Sequence, residues 1–212
     1  MPDELAKALT KTVYPALKLE GFRRVRKRDL IRVRNGIAHL LYFQVSVWGS
    51  RDFCVTASAN LLAGCETPVL LPGFRLNRDT DGGDLWFQSA TAEQAERAAA
   101  SILGSIRAEA IPYFERIITP TAFSALLAQE RWGASHHLSF QRGVSAALEE
   151  DTAAAKRHLI DAIDLYEADG KDWCAGYVTK AKLLLAALNG GDASVLLDEW
   201  RHANSRAHGV PT

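Results

Sequence analysis

One stretch of alternating residues constrains this chain more than anything else in it. Ile37, His39, Leu41, Phe43, Val45 and Val47 recur at every second position, with Ala38, Leu40, Tyr42, Gln44, Ser46 and Trp48 between them. After a polar break, Phe53, Val55, Ala57, Ala59 and Leu61 alternate with Cys54, Thr56, Ser58 and Asn60. A period of two is the signature of a strand whose faces meet different surroundings. A helix would scatter the same residues around its circumference. Patterns of period 3.6 flank this stretch, at residues 2–20 and 91–118. The spacing therefore predicts an α+β fold: a four-stranded antiparallel sheet packed by helices, followed by an all-helical region of antiparallel hairpins.

The first helix has Asp3 and Glu4 at its positive end and apolar Leu5, Ala8, Leu9, Val13, Ala16 and Leu17 at helical spacing. Gly21 marks its stop. Pro15 lies inside it and Pro112 inside the later helix, and each is expected to kink its helix by removing a backbone donor. A first strand offers Ile31 and Val33 against Arg32 and Arg34. Asn35-Gly36 ordinarily marks a two-residue hairpin, but that register puts the arginines on the apolar face. A three-residue loop, Arg34 to Gly36, pairs Val33 with Ile37 and gathers Ile31, Val33, Leu41, Phe43, Val55 and Ala57 on one side, so it is the expectation here. A Gly49–Arg51 loop likewise pairs Val47 with Phe53, Tyr42 with Ser58 and Gln44 with Thr56. A fourth strand is expected at Asp84–Gln88, and Thr91 with Gln94 forms a capping box that opens the next helix.

From Thr119 onward the pattern is helical, in pieces at 121–131, 135–149, 151–168, 172–189 and 192–207, with Asp192 placed to cap the last. Two domains are expected: an α+β domain over 1–120 and a helical-hairpin extension over 121–212 packed on it. The hairpins are loosely like tetratricopeptide pairs, without a clean 34-residue repeat.

The 212 residues carry 25 basic and 25 acidic side chains, so no global charge draws the chain to nucleic acid or membrane. The distribution is uneven. Residues 1–60 hold 11 Lys/Arg against 5 Asp/Glu, whereas 61–120 and 121–212 are each acidic by three. Acids at the N-terminus do not suit a signal peptide, and the longest aliphatic run, Leu183 to Leu188, is far short of a bilayer span. Three cysteines without a C-x-x-C make neither a disulfide framework nor a zinc ribbon. A reduced, cytoplasmic setting is the expectation.

The string Leu17-Lys18-Leu19-Glu20-Gly21-Phe22-Arg23-Arg24 leads into an arginine-rich strand, followed by Phe43-Gln44-Val45-Ser46 and Phe53-Cys54-Val55-Thr56. Ile111-Pro112-Tyr113-Phe114-Glu115-Arg116 closes a later helix. Together these resemble the bacterial domain of unknown function 4304 family over roughly residues 5–120. The resemblance implies a small α+β protein and brings no established activity with it. Some members of the family resemble immunity proteins found beside polymorphic toxins.

No catalytic string is present: no G-x-S-x-G, no G-x-x-x-x-G-K-[ST], no G-x-G-x-x-G. Asn77 to Asp84 imitates the start of a calcium loop, but Gln88 stands where a bidentate Glu is needed. A polar turn is the better reading. His136 and His137 are adjacent and diverge on a helix, His158, His202 and His208 lack metal-ligand context, and His39 fits a hydrogen-bonded core residue. Cys54 reads as a buried small side chain unless a histidine approaches it. No metal and no cofactor is therefore expected. The leading candidate site is the polar-aromatic sheet face, with Arg32, Tyr42, Gln44, Trp48, Ser58 and Asn60 as partner-binding residues, since aromatics supply contact area and Arg and amides supply directional bonds. The expected function is non-enzymatic protein binding in the cytoplasm, in the manner of an immunity protein occluding a partner. The alternatives are nucleic-acid binding through Arg23, Arg24, Arg26, Lys27 and Arg28, and a small-molecule enzyme with its site between sheet and tail.

Overall fold

A computed structural model describes residues 3–48, 51–64, 73–76, 85–129 and 134–210. The chain forms two compact units. The first comprises Met1–Val33, Ala38–Ala59 and Gly73–Arg116, and the second Arg34–Ile37, Asn60–Pro72 and Ile117–Thr212.

The first unit opens with α1 (Glu4–Ala8) and α2 (Tyr14–Leu19), joined by a π-helical turn over Leu9–Val13. The Asp3 carboxylate accepts from the Ala6 N–H and so caps the start. A second helical run repeats the design: α3 (Ala92–Ser105), a π turn over Ile106–Ala110, then α4 (Ile111–Glu115). The sequence predicts kinks at Pro15 and Pro112. In each run a widened turn sits just ahead of the proline, with Tyr14 N–H returning to Leu9 O and Ile111 N–H to Ile106 O. A proline cannot donate to the carbonyl four residues back, and the wide turn absorbs that missing bond without ending the helix. The capping box at Thr91 and Gln94 is present in both directions. The first run closes at Gly21, with Gly21 N–H to Lys18 O and Phe22 N–H to Leu17 O.

The sheet has five antiparallel strands, one more than expected: β1 (Arg23–Arg24), β2 (Asp29–Arg34), β3 (Ile37–Val45), β4 (Phe53–Leu61) and β5 (Gly73–Arg75), in that spatial order. The strand expected at Asp84–Gln88 is, among its described residues, a single bridge from Phe87 to Phe53. The calcium-like string Asn77–Asp84 lies outside the described residues.

The first hairpin corrects the sequence reading. β2 ends at Arg34, β3 begins at Ile37, and Asn35 and Gly36 both have positive φ, 49° and 77°. That is the two-residue type I′ turn, whose second position suits glycine. It sets Arg32 across from His39, and the Arg32 Nε–H donates to His39 Nδ1 at 3.2 Å. Arg32 and Leu30 thus share the face of His39, Leu41 and Phe43, while Ile31 and Val33 lie on the other. In the second hairpin, Ser46 N–H bonds Asp52 O and Leu62 N–H bonds Gly36 O. The register is two residues tighter than expected and pairs Gln44 with Cys54 and Tyr42 with Thr56. A shift of two leaves the strand residues on their assigned faces, but β3 stops at Val45, so Val47, expected on the greasy face opposite Phe53, lies beyond the strand and is exposed.

The face carrying Phe43, Val55 and Ala57 meets the helices. His39 stacks on Phe114 with centroids 4.7 Å apart, and Phe74 meets Tyr113 edge-on at 5.0 Å. Leu9, Val13, Leu17, Ile102 and Ile106 are fully buried in the same layer.

The second unit is helical: α5 (Pro120–Gln129), α6 (Ser135–Leu148), α7 (Thr152–Asp169), α8 (Cys174–Gly190) and α9 (Ala193–His208), with a 3₁₀ turn at Leu62–Gly64. Gly143 lets α6 approach α7 closely, since a Cβ there would fall 2.7 Å from Leu159 Cγ. The Asn204 amide donates to Leu62 O at 2.6 Å, and Arg142 donates to the α5 carbonyl of Leu127 at 2.7 Å. Asp192 occupies the cap position of α9 but makes no side-chain cap bond. No helix among the described residues is long and apolar enough to cross a membrane.

Candidate protein-binding site

The structure separates the six residues of the sheet-face prediction into three groups. Arg32 belongs to the core. It is 3% exposed, its guanidinium lies 5.0 Å from the Phe22 ring and 5.8 Å from Phe114, and its Nη2 pairs with Glu115 at 3.0 Å. Because arginine has donors only, His39 Nδ1 must accept, and the imidazole keeps its proton on Nε2. Arg32 therefore acts as an internal brace in the structure and not as a surface anchor.

Ser58 and Asn60 are buried, with Thr56 beside them in the same row of β4. Tyr42 and Gln44 are half-buried. This row is polar yet covered, and the hydroxyls of Thr56 and Ser58 find no hydrogen-bond partner among the described residues. At its open end stands a residue the sequence reading missed. Arg75 of β5 lies opposite Thr56 and reaches both the Cys54 thiol and the Gln44 side-chain oxygen, the latter at 2.8 Å. Cys54 is buried, as expected, and its charged neighbour is arginine where histidine had been the condition for a nucleophile.

Trp48 alone of the six stands free in solvent, 91% exposed, with Val47 beside it at 87%. Both follow β3 as the chain turns toward β4. The bridge between Phe53 and Phe87 brings a second greasy pair, Leu85 and Trp86, to the same end of β4, 40% and 39% exposed. Trp86 was not singled out in the sequence, since its segment reads only as a short strand.

A pocket of about 240 Å³ opens at this end, lined by Asp3, Glu4, Leu5, Lys27, Arg28, Val45, Arg51 and Ser89. Asp3 organises it. Lys27 Nζ approaches its carboxylate at 2.6 Å and Arg28 Nη2 at 2.7 Å. Burial pushes the Asp3 pKa up, but the bonds from Lys27, the Ala6 N–H and Arg28 outweigh it and hold the carboxyl at about 2. Glu4 pairs with Lys7 at 3.1 Å. Ser89 Oγ donates to the Arg51 carbonyl and fixes the opposite wall.

The residues proposed for nucleic acid do not form one open basic stripe. Arg23 and Arg24 are exposed on the edge strand β1, with Arg24 over the Tyr14 ring at 5.0 Å. Arg26 pairs loosely with Asp29 at 4.0 Å, and Lys27 and Arg28 turn to Asp3.

The helical unit holds an aromatic cluster that the sequence reading did not assemble. His136 and His137, 4.6 Å apart by centroid, meet Tyr166, Trp173 and Tyr177, and the Tyr166 hydroxyl lies 2.7 Å from His137 Nδ1. Burial and the neighbouring His136 lower the His137 pKa to about 4. Trp173, which helical spacing with Tyr177 would place in the core of the tail, is 46% exposed and forms the rim of this cluster. Among the described residues no group of three or more His, Cys, Asp or Glu is arranged to hold a metal ion.

Residues 13–116 match the model of a family described as a domain of unknown function, DUF4304. No curated protein and no solved structure matches the chain.

Proposed function

With residues 13–116 forming a DUF4304 domain, we propose that this chain works by binding another protein through the tip of its sheet. The observation that carries this reading is the pair Val47 and Trp48, almost fully in water just past the end of β3, whose own residues are buried or half-buried. An exposed tryptophan flanked by further apolar side chains supports docking, because burying it against a partner gains contact area at little ordering cost. Trp86 and Leu85 extend the apolar surface, and the pocket beside Val45 adds charged groups at its rim. This is a narrower surface than the whole sheet face. The cytoplasmic setting and the immunity-type role, in which the end of the sheet occludes a partner's site, belong to the same proposal and rest on the family resemblance and the lack of a catalytic motif.

Affinity capture from the native host tests it. Wild-type protein is expected to retain a specific host protein that Trp48→Ala loses, with the variant's far-UV spectrum unchanged. Retention of the same protein by both forms would count against the tip.

A further inference from the structure

The pocket beneath the tip has a chemistry of its own. Three cations line it, Lys27, Arg28 and Arg51, against the carboxylates of Asp3 and Glu4. Glu4 has its own lysine outside the pocket, Lys7. Asp3 is shared by Lys27 and Arg28, so one carboxylate answers two cations. The Arg28 Nε is buried and has no acceptor among the described residues, although its Nη2 is engaged. A guanidinium N–H left without an acceptor is costly, and a carboxylate oxygen is its best partner. Val45 lines the pocket, and Val47 and Trp48 follow it directly.

We propose, resting on the protein-binding reading above, that this pocket receives a single aspartate or glutamate side chain of the partner, whose apolar neighbours then lie on Val47 and Trp48. The partner segment is thus acidic and apolar in alternation. A carboxylate fits better than a phosphate, because Asp3 and Glu4 on the same wall repel a dianion more strongly than a monoanion. The volume of about 240 Å³ suits one side chain and its hydration, not a nucleotide with its base and sugar. Arg28 would supply the directional bond and Lys27, which shares Asp3 with it, the field, as in other charge-complementary interfaces.

The test uses the whole ¹⁵N-labelled chain and two defined probes, acetyl-Leu-Glu-Leu-amide and acetyl-Leu-Gln-Leu-amide, followed by NMR at the Arg28 Nε–H and the Trp48 indole. The glutamate peptide is expected to shift both signals and to bind about fivefold tighter than the glutamine peptide, with the difference shrinking in 0.3 M salt. Lys27→Gln, at a mostly exposed position, is expected to reduce the difference about threefold while lowering the thermal midpoint no more than Asp3→Asn does. Equal shifts with both peptides, or shifts that spare Arg28, would overturn the proposal. So would tighter binding of inorganic phosphate or of a single-stranded oligonucleotide at these signals. If the peptides are not distinguished while host-protein capture still depends on Trp48, the carboxylate pocket fails and protein binding through the tip stands. If capture is independent of Trp48 while the glutamate peptide binds at Arg28, the reverse holds.

Discussion

At one end of β2 and β3, beside the Asn35-Gly36 turn, a guanidinium is enclosed by His39, Glu115, the Glu20 carbonyl and the rings of Phe22 and Phe114. At the other end of β3, Val47 and Trp48 stand in water, and a nearby guanidinium nitrogen is buried without an acceptor among the described residues. The two ends treat the same residue types in opposite ways. A buried arginine is tolerable only when its donors are met, and at the turn they are. An exposed tryptophan forgoes about 2–3 kcal/mol of burial that a folded chain would otherwise gain. The contrast teaches where stability and recognition have been placed: the turn end serves the fold, and the tip is left incomplete by the chain itself.

The largest effect should come from the packed face. Phe43→Ala is expected to cost about 3–5 kcal/mol in urea unfolding, through lost transfer energy and a cavity. An unchanged midpoint would mean that Phe43 is not in the core and that the faces are wrongly assigned.

Arg32→Met keeps much of the apolar stem but strands His39 Nδ1, and should cost about 2–4 kcal/mol. Combining it with His39→Leu should recover part of that loss, giving a coupling of about 1 kcal/mol or more in a double-mutant cycle. Additive losses would show that the brace is packing alone.

Acid should act on a different group in each unit. His137 has its folded pKa below the ordinary 6.5, at about 4. The unfolded chain therefore binds the extra proton between these values, and stability falls as pH drops from 6.5 toward 4 by about 1–2 kcal/mol after solvent screening. Trp173, stacked on His137, offers the fluorescence signal, and His137→Phe should shrink the transition, leaving the smaller part owed to His136 and His158, whose pKa values burial also lowers.

Asp3 titrates lower. Its folded pKa of about 2 lies beneath the ordinary 3.8, so its contribution is present above 3.8 and is lost as pH falls toward 2. Asp3→Asn should cost about 0.5–1 kcal/mol at pH 7, because the groups are partly solvated, and only a small fraction of that at pH 2. A loss that persists at pH 2 would make Asp3 a structural cap only.

The smallest stability effect belongs to the tip. Trp48→Ala should change unfolding by less than about 0.5 kcal/mol, as an exposed substitution does. A larger loss would erase the contrast between the ends.

Much of this was legible in the sequence because period and capping are local. The faces of β3 and β4, the capping box at Thr91 and the prolines' effect on their helices follow from residues a few positions apart. The first turn was misread for a physical reason. Grouping apolar residues penalised any register that put Arg32 on the greasy face, and sequence alone cannot show that His39, Glu115 and two rings gather to satisfy it. Arg75 escaped because its strand is three residues long within a loop-rich stretch. The pocket at the tip escaped because Asp3, Lys27 and Arg51 meet only through the sheet. Parity did not govern Val47 and Trp48, which lie beyond the end of β3 and are both exposed although the alternation set them on opposite faces, and it did not foresee the burial of Ser58 and Asn60, since parity assigns a face without saying what covers it.

Placing a photo-crosslinking phenylalanine analogue at position 48, and separately at Leu19, tests the central claim most directly. Leu19 is 89% exposed and also apolar, but it sits at the end of α2 and does not line the pocket. In host extract the analogue at 48 should yield one dominant protein adduct, weakened by added salt, and the analogue at 19 none. Equal labelling from both positions, or an adduct of nucleic acid at 48, would contradict the account.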